Sequence, residues 1–428
     1  DPLMIEWVEL AKYHLETTPT NFRKRKSSIN NFLEHYVEHP ELPRNPIKYF
    51  DIKNKPSAIY SLEGNQRRQE MNVIHQFLDQ VLHRVCSQTD DNEIPVLMPG
   101  FANPLPIIKY KSVNKGETHR EVMPTHLLSL AMKILVENDF AWAKKVGRIT
   151  DTIRWLNPIS NKYEAVWCPV RAYVLVIKLI LPARTYQVRM VDSGEGDTYR
   201  YTDEGSWIKN IEKHAPKLSN TITENGIFRK YNRRDGSQGA IFFFNTNKTA
   251  DINNVVNGYV MPWERKDALD IFIKMREWQE KYNPVNGATS WKDIVELKRT
   301  KHKDDLEKMG KNYFLFRDPA THYRPDLPVT DVRIRGLWLR LMDELESRLK
   351  ENGQSLISGE PIKLILTREK SGGPKSSTFD LHTLRVTLIT AMYESGIRPE
   401  YLAKIIGHAT IITTLYYTKI DTETVSLK

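Results

Sequence analysis

Cysteine is nearly absent: the 428 residues hold two, Cys86 and Cys168. Two thiols so far apart form neither a disulfide framework nor a metal-ligand spacing, and they suit a reducing compartment. Long apolar runs are missing as well. The longest, residues 172–183, is interrupted by Lys178 and is too short to span a bilayer. Residues 1–6 carry no signal-peptide pattern. There is no internal repeat, no low-complexity tract, no G-x-x-x-x-G-K-[ST] order, no H-E-x-x-H and no Cys-x-x-Cys pair. These absences argue against a P-loop enzyme and the common zinc sites. No metal or cofactor and no membrane partner is expected, and a soluble, cytoplasmic protein is.

What is present begins with charge. Sixty-three Lys+Arg face 53 Asp+Glu, a net charge of +10. Such an excess favours a polyanionic partner and says nothing about fold. The length implies two or three domains. Residues 1 to 90 read as helices: 6–14, 28–37 and 70–85, the last with Met71, Ile74, Leu78, Val81 and Val85 on one stripe. The basic run Arg23-Lys24-Arg25-Lys26 precedes the second helix. Prolines 95, 99, 104 and 106 mark a linker. The boundary therefore falls within 90–120, with domains at 1–105 and 106–428.

The last fifty residues carry the chemistry. His382-Thr383-Leu384-Arg385 places a histidine and an arginine on one helix face. With Thr378 or Asp380 as cap, both stand in the first turns, where free N–H groups favour an anion. Gly407-His408 follows 23 positions after Arg385, and Tyr417 nine positions after His408. Separately, each has a plain reading: a chance H-x-x-R, a helix C-cap, two half-buried tyrosines. Together, in this order, with Gly396-Ile397 and Thr413-Thr414 between them, they resemble the C-terminal box of the tyrosine recombinases, the phage-integrase family. Tyr416 competes with Tyr417, but their side chains diverge by about 100° on a helix, so only one faces a pocket. The count from His408 favours Tyr417.

The resemblance extends upstream in patches. An apolar helix at 168–181 ends at Pro182, and Arg184 follows, as in the family's first arginine box. Pro182-Ala183 stands where threonine-glycine is usual, and Gln187 where glutamate is usual. Arg171 and Arg189 are rivals to Arg184. The strand 239–244, Lys248, a polar turn, the strand Tyr259-Val260-Met261, Pro262 and a helix over 264–278 resemble the catalytic-lysine hairpin. Lys248 is the candidate. Lys230, in the basic turn 229–234 with Arg233 and Arg234, is its rival. Residues 283–350, with Leu337, Leu341, Leu345 and Leu349 four apart, read as an insertion. The stretch 368–377 reads as a basic, flexible loop.

The fold implied is mainly α with a small β-sheet or hairpin: an N-terminal helical core-binding domain and a catalytic domain of tyrosine-recombinase type. The function implied is a site-specific recombinase, the integrase or transposase of a mobile element, working through a 3′-phosphotyrosyl intermediate. Tyr417 would be the nucleophile and His382 the base, with Arg184, Arg385 and His408 on the non-bridging oxygens and Lys248 the acid. Arg23, Lys24, Arg25, Lys26, Lys230, Arg233, Arg234, Lys370 and Lys375 are candidates for contacting DNA. The partners implied are double-stranded DNA with paired sites, a homo-tetramer on synapsed DNA and accessory proteins, in a bacterial, nucleoid-associated setting. The alternatives are DNA relaxation of the type IB topoisomerase kind and a non-catalytic DNA binder on the same fold.

Overall fold

Apolar residues three and four apart on the N-terminal helices close around one tryptophan. The computed structural model describes residues 4–18, 21–54, 65–89, 95–105, 120–217, 222–246, 258–298, 301–321, 324–355 and 359–408, with side chains from 69 onward in the third segment. The chain divides into two compact units, Asp1–Asn114 with Ile294–Gly310, and Lys115–Asp293 with Lys311–Lys428.

The first unit contains α1 (Ile5–Thr17), α2 (Phe22–Glu38), α3 (Pro46–Phe50), α4 (Asn65–Val85) and the short pair β1 (Ser87–Thr89) and β2 (Pro95–Leu97). Trp7 is fully buried among Phe32, Tyr36, Tyr49, Phe50 and Phe77, with its ring edge-on to Tyr49 at 5.3 Å. Its indole N–H donates to the Arg44 carbonyl at 3.1 Å, so the buried donor is satisfied. Helix α2 begins at Phe22, so the basic run forms its first turns rather than preceding it. Arg23, Lys24 and Lys26 are exposed. Arg25 turns inward, its guanidinium reaching His14 at 3.3 Å and Gln76 at 3.1 Å.

The second unit runs α5 (Thr125–Val146), β3 (Thr152–Asn157), β4 (Lys162–Trp167), α6 (Val170–Ile180), α7 (Thr185–Arg189), β5 (Tyr199–Tyr201), β6 (Trp207–Lys209), β7 (Phe228–Asn232), β8 (Gln238–Phe244), β9 (Tyr259–Met261), α8 (Lys266–Tyr282) and β10 (Thr289–Ser290). After α9 (Val295–Lys298) and α10 (Lys303–Lys308), which belong to the first unit, come β11 (Lys311–Asn312), α11 (Asp331–Glu351), β12 (Ile365–Arg368), β13 (Pro374–Ser377), α12 (Thr383–Glu394) and α13 (Pro399–Ile406). The fold is mostly helical with small antiparallel sheets, as the sequence implied.

Helix α6 is apolar but for Arg171 and Lys178 and is accordingly the central helix, packed by α5, α8, α11 and α12. The leucines of α11 form its buried stripe with Ile334 and Trp338, so the segment 283–350 supplies a core helix to this unit and residues 294–310 to the other. Strands β7, β8 and β9 form one antiparallel sheet, with Phe228 opposite Phe242 and Phe242 opposite Met261. Two stretches read as turn and loop are strands. Arg229 and Lys230 lie on β7, and 368–377 closes the β12–β13 hairpin, where Gly372 supplies φ +88° and Glu369 N–H donates to Gly373. Arg229 and Lys230 are successive residues and so take opposite faces of β7, Arg229 over the Phe243 ring, which breaks the apolar–polar alternation that would have marked a strand. Among the described residues no helix is long and apolar enough to cross a membrane.

Candidate active site

Pro182 ends α6 by removing the donor the next turn would need. The chain then turns, and Arg184 enters α7. Its backbone N–H donates to Gln187 Oε1 at 2.8 Å, and Gln187 Nε2 donates to the Thr246 carbonyl at 3.3 Å. The glutamine that departs from the expected glutamate thus ties the Arg184 turn to the end of β8, two residues ahead of Lys248. Lys248 lies outside the described residues, as do Tyr416 and Tyr417.

Asp380 receives the first N–H groups of α12, from His382 at 2.8 Å and Thr383 at 2.9 Å. Its other oxygen takes Arg120. Thr378 instead donates to the Lys363 carbonyl. One turn on, Arg385 is fully buried. Its Nη1 donates to the Pro182 carbonyl, and its Nη2 to the Ile406 carbonyl and to His408 Nε2, both at 3.0 Å. A guanidinium only donates, so Nε2 is the acceptor and the His408 proton sits on Nδ1. Arg385 therefore joins three stretches that lie far apart in sequence.

His408 is aimed by its neighbour. Gly407 caps α13 at φ +66°, and a Cβ there would lie 2.7 Å from the Tyr259 ring. Only glycine admits both the left-handed turn and the ring. Tyr259, on β9, stacks on Phe244 at 5.5 Å and so brings the β-sheet against the His408 turn. Burial raises its phenol, and the Arg385 and Arg184 charges oppose the rise.

Positive charge dominates the electrostatics. Burial, then the charges of Arg385 and Arg184, hold His408 down at about 3. Burial, then Arg120, Lys178 and Arg385, bring His382 to about 4, with Asp380 opposing. Both imidazoles are neutral at neutral pH. Among the described residues Arg184 Nη1 is buried without a hydrogen-bond partner. A cavity of about 390 Å³ opens beside His382, lined also by Thr185, Arg335, Trp338, Lys375 and Asp380.

The structure thus brings together Arg184, His382, Arg385 and His408. The other basic candidates have other surroundings. Arg171 pairs with Asp151 at 2.5 Å, and Arg189 donates to the Val329 carbonyl. The Lys230 ammonium lies over the Tyr199 ring at 4.2 Å, Arg233 pairs with Glu264, and Arg234 and Lys370 are exposed. Four residues of the cluster escaped the sequence reading as site residues: Arg120, Lys178, Gln187 and Tyr259. No local pattern marks Arg120, Lys178 or Tyr259, because each arrives by tertiary packing; Gln187 stood out only as a departure.

The family model described as "Putative integrase" matches residues 2–292. The chain belongs to this integrase family. The match includes Arg184 and the β7–β9 sheet and ends before His382. No curated protein matches the chain. Among solved structures, the chain is similar to the Tn1549 transposon integrase in complex with transposon right end DNA, at 13% identity and TM-score 0.43, covering 98% of this chain and 96% of that one. It is also similar to the XerH site-specific recombinase bound to difH substrate, at 10% identity and TM-score 0.40, covering 95% and 78%. A third is the XerA recombinase, at 12% identity and TM-score 0.30, covering 98% and 94%.

Proposed function

We propose that this integrase-family protein is a DNA strand-exchanging recombinase of a mobile element, cutting and rejoining DNA through a 3′-phosphotyrosyl intermediate on Tyr417. The observation that supports this most is Arg385, which gathers the Pro182–Arg184 turn, Ile406 and His408 around one guanidinium. Two arginines and two histidines with cationic surroundings make a receptor for a phosphodiester anion.

The Tyr417 oxygen attacks phosphorus, forming the phosphotyrosine bond as the bond to the 5′-oxygen breaks. The phenol is protonated at neutral pH, and His382, held neutral, takes its proton. Lys248 gives a proton to the departing 5′-oxygen. Arg184 and Arg385 grip the non-bridging oxygens, and His408 donates from Nδ1, the nitrogen left to it by Arg385. A 5′-hydroxyl of another strand then reverses the step and regenerates tyrosine. No step is routed through a metal. The exposed Arg23, Lys24 and Lys26 serve as phosphate contacts of the first unit, and four copies assemble on two paired sites, because four strands are exchanged and each cut uses one tyrosine.

A nicked suicide duplex tests this. The wild-type protein should form a covalent adduct in excess chelator, Tyr416→Phe should retain it, and Tyr417→Phe should lose it while still binding DNA. An adduct that persists in Tyr417→Phe and vanishes in Tyr416→Phe overturns the nucleophile, and loss in chelator restored by magnesium overturns the mechanism. Relaxation of supercoiled plasmid by single copies, without exchange between paired sites, would favour the topoisomerase reading.

A further inference from the structure

Lys178 is the one lysine in the central helix, whose other charged residue, Arg171, is paired with Asp151. It is fully buried, flanked on α6 by Leu175, Val176, Ile177, Leu179 and Ile180. Among the described residues its Nζ has one hydrogen bond, to the Ala183 carbonyl, the residue before Arg184. A protonated lysine carries three N–H donors and no acceptor. With one acceptor in reach, an ammonium here would bury two donors unmatched, and a desolvated charge is far costlier than a desolvated amine.

The elements packed on α6 decide what charge it meets. Helix α12 brings Arg385, with His382 and Asp380 at its start. The turn into α7 brings Arg184, and the first residue of α11, Asp331, adds a carboxylate. Asp380 is itself paired with Arg120. Helix α5 presents apolar Leu127, Ala131 and Ile134, and α8 presents Leu269, Phe272 and Ile273. The buried cation of α8, Arg276, is directed to the Tyr201 carbonyl at 2.6 Å. Lys178 therefore shares its corner with two guanidiniums held at close quarters.

We propose that Lys178 is a positioning residue that couples phosphate binding to proton uptake: its buried amine holds a proton poorly beside the arginine pair and takes one up when a phosphodiester anion binds there. The inference rests on the phosphate-receptor reading of Arg184 and Arg385. Burial and the Arg385 charge bring Lys178 down to about 7. An anion on the guanidiniums cancels the repulsion and makes the ammonium favourable, as an opposite charge nearby does for any base. The protonated Nζ then adds a third positive charge beneath the phosphate without leaving the Ala183 carbonyl. Lys178 has no exposed surface, and in this proposal it acts through the two guanidiniums rather than on the substrate itself.

Carbon-13 labelling of lysine in the full chain tests this. The Lys178 Cε is recognised as the lysine signal shielded from a soluble relaxation agent and is titrated with and without a short mixed-sequence duplex. The free midpoint should lie at about 7, and the bound midpoint at least about one unit higher. A free midpoint near the ordinary ~10.4, or one that the bound duplex does not move, overturns the proposal. Duplex affinity should weaken as pH rises above the free midpoint, by up to about tenfold per unit, and Lys178→Met should remove that slope. A Met variant that keeps it counts against the proposal. A protein that binds no duplex defeats the recombinase reading, and the same titration with orthophosphate then decides for or against the coupling.

Discussion

Two groups of buried cations lie in the second unit, and they are handled in opposite ways. Around Asp151, Glu195 and Asp318 each arginine meets carboxylate: Arg171 and Arg333 share Asp151 at 2.5 and 3.1 Å, Arg333 also holds Asp318 at 2.6 Å, and Arg317 holds Glu195 at 2.6 Å. Around α6 and α12, Arg385 donates to two carbonyls and an imidazole, Lys178 to one carbonyl, and among the described residues Arg184 keeps a buried nitrogen without a partner. Asp380, whose charge reaches Lys178, is paired with Arg120. A charge matched inside the fold belongs to its architecture. Cations held by dipoles keep their field, and under the proposed function that field serves an anion from outside.

The comparison breaks most sharply at its two arginines. Arg317→Ala should strand Glu195 and cost about 3–5 kcal/mol of stability, read by chemical denaturation. Arg385→Ala should lower covalent-adduct formation about 10²–10³-fold, far beyond what its melting temperature would explain. If each variant shows the other's phenotype, the distinction between cations paired with carboxylate and cations held by carbonyls and an imidazole fails. Gly407→Ala should come next. Strain at a positive φ costs about 1–3 kcal/mol, and the clash with Tyr259 adds to it; adduct formation should fall with stability, and Tyr259→Ala in the same chain should restore part of both.

A smaller effect follows from the histidines. His382 and His408 are held at about 4 and about 3, below the ordinary ~6.5. Between those values the unfolded chain binds protons that the folded chain refuses, so stability should rise with pH from about 4 to about 6.5 and drop as pH falls through that window. Lys178 acts in the same sense higher up, with stability rising from about 7 toward the ordinary lysine value. Denaturation across pH, compared with His408→Asn, measures the histidine share; an unchanged profile removes the positive field from the account. The smallest effect belongs to the first unit: Lys24→Ala should weaken duplex binding modestly and reduce its salt slope by about one unit.

Much of this was legible in the sequence. The apolar faces of α4, α6 and α11 repeat at helical spacing, and β8 and β9 are continuous β-branched and aromatic runs, so these elements fall where expected. Asp380 was readable as a cap because its side chain needs only local N–H groups. The β7 strand and the β12–β13 hairpin were not, since solvated basic residues on a strand look like a turn. Arg25 was counted with its basic neighbours, yet one residue in a helix rotates about 100° and carries it inside. Lys178 read as an interruption of an apolar run because its meaning depends on Arg184 and Arg385, which only the folded chain brings to it.

Arg385 and Lys178 grasp the carbonyls of successive residues, Pro182 and Ala183. Both read the main chain and neither reads a side chain. The two hydrogen bonds release the side chains of residues 182 and 183 from any part in them, although Pro182 keeps its own task of ending α6. The number of peptide units between the end of α6 and Arg184 is not released: adding or removing one would slide both carbonyls out of register and carry Arg184 away with them.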